Sequence, residues 1–335
     1  MASPIWKGDM TPLTDPFGRS FPYLRLSLTE ACNFRCGYCL PDGYQPSGSQ
    51  YFLTVDECQR VAAAFAAAGA SKIRLTGGEP TLRRDFTDIA AVVAAVPGIR
   101  TLAMTTNGYR LQRDVARWRA AGINQLNVSI DSLDPRSFAV ITGSDSLHQI
   151  LDGLELALTL GFNAVKVNAV ILRDYTDHDW QAFLALVRDK PLELRFIELM
   201  QTANLSSTML QQQQSGERLR NRLLAAGWQP VSKGYDDGPA EHYRHPDYAG
   251  RIGLILPYGR DFCDSCNRLR VSARGKLHLC LFGTHGVELR DLLQQDEQQL
   301  LLLARIRQAL KEKRISHFLH EGDAGITSHL AAIGG

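Results

Sequence analysis

The stretch ACNFRCGYCL places Cys32, Cys36 and Cys39 within eight residues, and FCDSCNRLRVSARGKLHLC places Cys263, Cys266 and Cys280 at Cys-x2-Cys-x13-Cys spacing. Thiols this crowded, separated by Asn33, Arg35 and Gly37, do not form a core stripe. Disulfides use cysteines in pairs and structural zinc usually takes four protein ligands, so each group stops one ligand short of a closed shell. Two metal chemistries stay open. Zinc could be held by three thiolates and a water or further ligand; His278 would serve the second group, because it precedes Cys280 by two residues and shares its face in an extended strand. Alternatively, each group holds a four-iron, four-sulfur cluster whose last iron is open to a small molecule. The seventh thiol, Cys58, lies in a helical pattern and reads as core. His178, His317 and His320 lack partners at ligand spacing and read as surface or structural residues.

Further polar chemistry gathers at the ends of short β-type runs. In TGGEP, Gly77 and Gly78 let the backbone approach a ligand, and Glu79 offers an acceptor for an amino group. Thr105 and Asn107 in TTNG, and Ser129 and Asp131 in SIDS, suit ribose or carboxylate contacts, or equally helix caps. Cations recur on the same runs: Arg25, Lys72, Arg74, Lys166, Arg195, Arg268 and Arg270. Lys72 and Arg74 share one strand face, as do Arg268 and Arg270. A buried cation is costly unless paired or bound to an anion; each alone could be a structural ion pair, but together they predict an anionic ligand. Arg83 and Arg84, near a helix start, read as solvated.

The elements that must position these groups alternate. Strand candidates begin at Tyr23, Lys72, Thr101, Gln125, Ala164 and Leu192. A capping box at Thr54 and Glu57 opens a helix that stops near Gly69, and helices are expected at Arg84–Val96, Leu111–Ala121, Leu147–Leu160, Asp179–Arg188 and Gly216–Ala226. Six successive βα units demand an α/β fold with a parallel sheet. Polar chemistry at the carboxyl end of strand after strand favours a partial (β/α)6 TIM-type barrel over an open sheet, with the site on that face. After about Trp228 the pattern changes to antiparallel strands in AEHYRHP and GRIGLILPY and a helix at Gln298–Lys313. The expected division is a barrel core over 1–228 and a C-terminal α+β module over 229–335 that carries the second cluster. QQQQSG at Gln211 reads as a mobile connection.

With 335 residues, 44% hydrophobic and 21% charged, the composition is that of a soluble globular chain. A net charge of only +2 supplies no global field for nucleic acid. No apolar run has the length of a signal peptide or membrane span, so the expected location is cytoplasmic, or an organelle matrix, with no membrane partner. In a reducing compartment seven cysteines read as thiols or ligands.

The Cys-x3-Cys-x2-Cys spacing, with Tyr38 before the last cysteine, resembles the radical S-adenosylmethionine superfamily. That resemblance implies that the first cluster chelates S-adenosylmethionine and, once reduced, cleaves it to a deoxyadenosyl radical. It implies a cofactor site of Tyr38, Gly77, Gly78, Glu79, Thr105, Asn107 and Ser129. Both cysteine groups and the terminal GG together closely resemble, over essentially the whole chain, the GTP 3',8-cyclase family of molybdenum cofactor biosynthesis. The implied lyase carries two 4Fe-4S clusters, the second binding guanine through its open iron. Arg25, Lys72, Lys166, Arg268 and Arg270 would line the GTP pocket, with the strand arginines, Arg74 and Arg195 among them, serving phosphate. Arg268 and the terminal Gly334 and Gly335 would support catalysis. Removal of the ribose 3' hydrogen and attack on C8 would give (8S)-3',8-cyclo-7,8-dihydroguanosine 5'-triphosphate, with the clusters facing each other across the barrel mouth and the C-terminal module as a partial lid. The resemblance further implies a homodimer, a small-molecule or flavodoxin-type electron donor, and hand-over to cyclic pyranopterin monophosphate synthase. Ala203 in ELMQTAN stands where that family usually has glycine. The alternatives are another radical enzyme with an auxiliary cluster acting on a peptide, and a zinc-bound protein that binds nucleic acid.

Overall fold

The computed structural model describes residues 11–46, 51–173, 177–232, 234, 238–283, 286–327 and 330–334. Strand and helix alternate through β1 (Tyr23–Ser27), α1 (Val55–Ala67), β2 (Lys72–Thr76), α2 (Phe86–Ala94), β3 (Thr101–Thr106), α3 (Leu111–Ala120) and β4 (Gln125–Ser129). There follow α4 (Pro135–Thr142), α5 (Leu147–Thr159), β5 (Ala164–Ile171), α6 (Asp177–Arg188), β6 (Glu193–Glu198), α7 (Ser207–Leu210) and α8 (Gly216–Ala225). The chain continues with β7 (Gln229–Val231), β8 (Glu241–Arg244), β9 (Arg251–Ile255), β10 (Arg268–Val271), β11 (Lys276–His278), β12 (Val287–Glu288) and α9 (Gln299–Leu310).

Local chemistry explains the boundaries. Thr54 Oγ1 accepts from Glu57 N at 3.2 Å while Glu57 Oε2 accepts from Thr54 N at 2.8 Å, so the capping box opens α1 as expected. Helix α4 is an addition to the sequence reading. Its signals are Asp134 accepting from Ser137 N, Pro135 in the first turn, and Gly143 ending the helix in the left-handed region. QQQQSG is tied down: Arg173 N donates to Gln212 O at 2.8 Å and Leu172 bridges Gln213.

All twelve strands form one mixed sheet in the order β12-β11-β10-β1-β2-β3-β4-β5-β6-β9-β8-β7. Eight adjacent members, β10 through β9, are parallel, two more than the six expected. The additions come from the C-terminal segment: β10 extends β1, and β9 extends β6 while also pairing antiparallel with β8. They join because Ile252, Leu254, Leu269 and Val271 continue the buried apolar layer. The result is an α/β fold whose central parallel sheet is consistent with a barrel.

Alternation divides the sheet's two faces. Leu24, Leu26, Ile73, Leu75, Leu194 and Phe196 join the apolar core, where Phe196 lies 5.5 Å from Trp180 and 5.6 Å from Phe183 of α6, ring centre to ring centre. The intervening Tyr23, Arg25, Lys72, Arg74, Arg195 and Ile197 turn the other way and line a cavity.

Candidate active site

One cavity of about 280 Å³ receives residues from all eight parallel strands, and Cys32, Cys36, Cys39, Cys263, Cys266 and Cys280 all line it. The triads approach it from opposite ends. Cys32 lies beyond the carboxyl end of β1, whereas Cys266 precedes the amino end of β10, whose Arg268 is level with Tyr23 at the start of β1. The four strand steps from Tyr23 to Ser27 span about 13 Å. The expected meeting of the triads across the barrel mouth is therefore corrected: the cavity runs along the strands, and the cations sit within its length and not only at strand ends. Among the described residues, no three His, Cys, Asp or Glu side chains form a single-ion metal site.

The first triad rests on a braced loop. Gly78 N donates to Thr29 O at 2.8 Å and Glu79 N to Ala31 O at 2.7 Å, pinning TGGEP to the segment that enters Cys32. A Cβ on Gly78 would lie 2.2 Å from Ala31 O, so only glycine permits this approach. Glu79, the expected acceptor for an amino group, is engaged within the protein. It is fully buried and off the cavity wall, and its carboxylate accepts from Thr81 N and Oγ1, Thr106 Oγ1 and Asn107 N. It braces TGGEP against TTNG. Asn107 Nδ2 then reaches Asn33 Oδ1 at 3.0 Å and Cys32 Sγ at 3.8 Å. Tyr38 donates to Asp131 Oδ2 at 2.7 Å, and Asp131 Oδ1 accepts from Val170 N at 2.9 Å, which fixes the ring preceding Cys39. Gly77, Thr105, Asn107 and Ser129 line the cavity with Tyr38. Burial pushes the Cys32 thiol up to about 11 and Cys39 to about 12, and burial with Asp131 raises Cys36 further.

In the second triad burial raises the Cys263 thiol too, but Cys266 has a different setting. Arg19 Nη1 donates to Cys263 O at 3.0 Å, and Lys313 Nζ donates to Leu279 O. Burial would raise the Cys266 thiol, but Arg268, Lys313 and Arg19 outweigh it and hold the thiol below its usual value. His278 is not on the cavity wall, whereas His317, read as an ordinary histidine, is buried on it with Nδ1 accepting from Leu319 N at 2.8 Å. Cys58 is core, as expected, and His178 is exposed. Arg84 is exposed, but Arg83 is engaged with Asp85, Leu28 O and Leu53 O.

Between the triads, Arg25, Lys72, Arg74, Arg195, Arg268 and Arg270 line the cavity. Lys166 lies behind the wall, paired with Glu193 at 3.3 Å. Arg74 donates from Nε to Tyr23 Oη and from Nη1 to Thr105 Oγ1 at 3.3 Å, so Thr105 also serves a cation. Burial would raise the Tyr23 phenol, yet Arg74, Arg25 and Lys72 hold it well below the usual value. Arg25 Nε and Arg270 Nη1 both donate to Gly334 O, at 2.9 and 2.6 Å. Gly334 has φ +69° and a Cβ there would meet Thr76 Cγ2 at 2.2 Å, so the tail is seated against the cavity-lining Thr76, Arg25 and Arg270 by a glycine-only fit. Gly335 lies outside the described residues.

The sequence reading passed over Tyr23, Asn127, Asn168, Glu198 and Met200, which also line the cavity. A two-residue step from Arg25, Ser129 and Lys166 reaches Tyr23, Asn127 and Asn168, so strand period alone could have found these three. The Asn127 and Asn168 side-chain oxygens are buried without a hydrogen-bond partner. Unspent acceptors beside a cation array are what a ligand carrying both phosphate and N–H or O–H groups would satisfy.

Comparison with known proteins agrees with this geometry. The Radical SAM superfamily model matches residues 26–187 and the Molybdenum Cofactor Synthesis C model matches residues 192–319. The chain is 56% identical over 326 residues to a GTP 3',8-cyclase of Yersinia pestis, covering 97% of this chain and 100% of that protein. It is 57% identical to those of Aeromonas hydrophila subsp. hydrophila, over 97% of each chain, and Klebsiella pneumoniae, over 96% of this chain and 99% of that one. In fold it is similar to Streptococcus suis SuiB bound to S-adenosylmethionine, with a TM-score of 0.62 at 12% identity, covering 91% of this chain and 69% of that one. The chain belongs to the GTP 3',8-cyclase family of the radical S-adenosylmethionine superfamily.

Proposed function

We propose that the cavity between the two cysteine triads is where this lyase converts GTP to (8S)-3',8-cyclo-7,8-dihydroguanosine 5'-triphosphate for molybdenum cofactor biosynthesis. The observation that carries the site assignment is that both triads and six cations line one cavity. The donor chemistry fits iron–sulfur clusters: each triad is all thiol, with its cysteines free of disulfides. Cys32, Cys36 and Cys39 would hold one 4Fe-4S cluster, and Cys263, Cys266 and Cys280 the other, within a C-terminal module over 229–335 set against a partial (β/α)6 barrel over 1–228. When bound, the clusters and S-adenosylmethionine supply one-electron chemistry able to remove a ribose hydrogen atom.

The chain's own residues bind, orient and exclude water. Tyr38, Gly77, Gly78, Thr105, Asn107 and Ser129 form the cofactor end, with Glu79 and Asp131 bracing it. Lys72, Arg74 and Arg195 receive the triphosphate, with the charge of Lys166 supporting them from behind the wall, while Arg25, Arg268 and Arg270 flank the nucleoside. Holding base, sugar and cofactor in one buried channel is the main rate device. Arg268, next to the second triad, offsets negative charge that develops on the base. The seated tail at Gly334, with Gly335 beyond it, closes the channel against water. A flavodoxin-type or small-molecule donor, a homodimer, a cytoplasmic location without membrane or nucleic acid, and delivery to cyclic pyranopterin monophosphate synthase complete the reading.

Anaerobic full-length protein should carry iron and acid-labile sulfide. With S-adenosylmethionine, GTP and a reductant it should yield 5'-deoxyadenosine and a cyclised nucleotide together. Zinc without sulfide, or no GTP-dependent product, would overturn the reading.

A further inference from the structure

Glu193 is nearly inaccessible, off the cavity wall, and shared by several positive groups. Lys166 Nζ is 3.3 Å from its Oε2, Arg195 Nε donates to its Oε1, Arg251 Nε donates to its Oε2 at 2.7 Å, and His242 Nδ1 is 3.6 Å from Oε1. The arrangement follows from register. Lys166, Glu193 and Arg251 are cross-strand partners on β5, β6 and β9, and Arg195 is two residues along β6 on the same face. Arg195 is further confined by Gly253, where a Cβ would come 3.1 Å from its Cγ.

Among the described residues, Glu193 is the one carboxylate in ion-pair contact with Lys166 or Arg195. A single negative charge facing Arg195, Arg251 and, when it is protonated, Lys166 leaves surplus positive charge beside the cavity, where Lys72 and Arg74 add to it. Such an assembly repels itself until an anion arrives, and would scatter without an anchor. The anchor is rigid because it sits on paired strands and is backed from outside by Arg251, so the donors are ordered before the ligand binds.

We propose that Glu193 is a positioning residue for the substrate's polyphosphate: with Arg251 behind it, its carboxylate sets Lys166 and Arg195 in register with Lys72 and Arg74 without touching the nucleotide. This rests on the reading above that these cations receive the triphosphate. Glu193→Gln keeps the shape and one acceptor oxygen but removes the charge. Two opposed effects result. One less negative charge favours an anion, while Lys166 loses the partner that keeps its proton among Arg195 of β6 and Lys72 and Arg74 of β2, with neutral Asn127 facing it from β4.

The test is calorimetric binding of GTP, GDP and guanosine to the anaerobic full-length protein between pH 6 and 9. For Glu193→Gln the expected result is about tenfold weaker GTP binding at pH 8, less loss for GDP and none for guanosine. The fall in GTP affinity with pH should also begin at lower pH than in the parent protein. Arg251→Gln should show a smaller change of the same sign, and it carries the test if Glu193→Gln does not fold. An unchanged GTP-to-guanosine ratio and pH profile in the folded variant would overturn the proposal. Lys166→Gln and Arg195→Gln separate the two readings: if they too leave GTP binding unchanged, it is the triphosphate assignment that fails.

Discussion

Arg25 Nε donates to the carbonyl oxygen of Gly334 at 2.9 Å, so the first strand and the C-terminal tail meet at the cavity wall. Arg270 shares that acceptor, and the close fit against Thr76 leaves no room for a side chain. Gly334→Ala meets two obstacles, an unfavourable left-handed backbone costing roughly 1 kcal/mol and the Thr76 methyl. The tail should leave its seat. We expect cyclised product to fall about tenfold or more, with iron content nearly unchanged and a stability loss of about 2 kcal/mol, because Arg25 and Arg270 lose their shared acceptor. Adding Thr76→Ser removes the clashing methyl and should restore part of the activity. Parent-level turnover by Gly334→Ala alone would show that this seat does not matter.

Tyr23, two residues before Arg25 on the same face of β1, is the anchor for Arg74. Tyr23→Phe leaves the buried Nε without its acceptor, and a hydrogen bond to a charged group contributes about 2 kcal/mol. Denaturant unfolding should show a loss of that order. GTP binding should weaken while guanosine binding holds, since the guanidinium loses its orientation but not its charge. Equal weakening of both ligands would place the effect in general stability.

How legible this site was depended on period. Strand starts at Tyr23, Lys72, Thr101, Gln125 and Ala164 coincide with those observed, because apolar alternation and turn residues are local signals. The capping box at Thr54 is local for the same reason. Strands β9 and β10 were harder: their parallel pairing with β6 and β1 depends on partners far along the chain, which no local pattern encodes. The same limit explains Glu79. Its oxygens accept from Thr81, Thr106 and Asn107, and hydrogen-bond partners brought by folding cannot be read from TGGEP. His317 shows the reverse, a residue read as surface or structural that the segment following α9 carries to the wall.

The two triads should be separable by iron content. Cys36→Ala removes a thiol at the carboxyl end of the strands and Cys263→Ala one at the amino end. Each variant should retain about half the parent's iron and sulfide. Cys36→Ala should abolish 5'-deoxyadenosine formation. Cys263→Ala should retain its formation from S-adenosylmethionine while losing the cyclised nucleotide. Loss of all iron from either single variant would mean that the sites assemble as one unit.

On the proposed triphosphate assignment, Lys166 should give GTP binding a pH dependence of definite sign. Burial first, then the neighbouring Arg195, pushes its ammonium down to about 7, with Glu193 opposing the shift. In the unfolded chain a lysine titrates near 10.5, so between about 7 and that value the unfolded chain holds a proton the folded chain has released. Stability attributable to Lys166 therefore rises with pH across that window, by at most about 1.4 kcal/mol per unit. Glu193 acts at the acid end with its carboxyl held far down. Its contribution is present above the unfolded value of 4.5 and is lost as pH falls below it. A bound triphosphate reverses the penalty on the ammonium and draws its proton back. At pH 8 GTP binding should therefore take up a substantial fraction of a proton, and at pH 6 almost none from this group. Calorimetry in buffers of differing ionisation enthalpy measures the uptake directly, and Lys166→Met should remove most of it. Equal uptake by that variant would assign the proton to another group in the cavity.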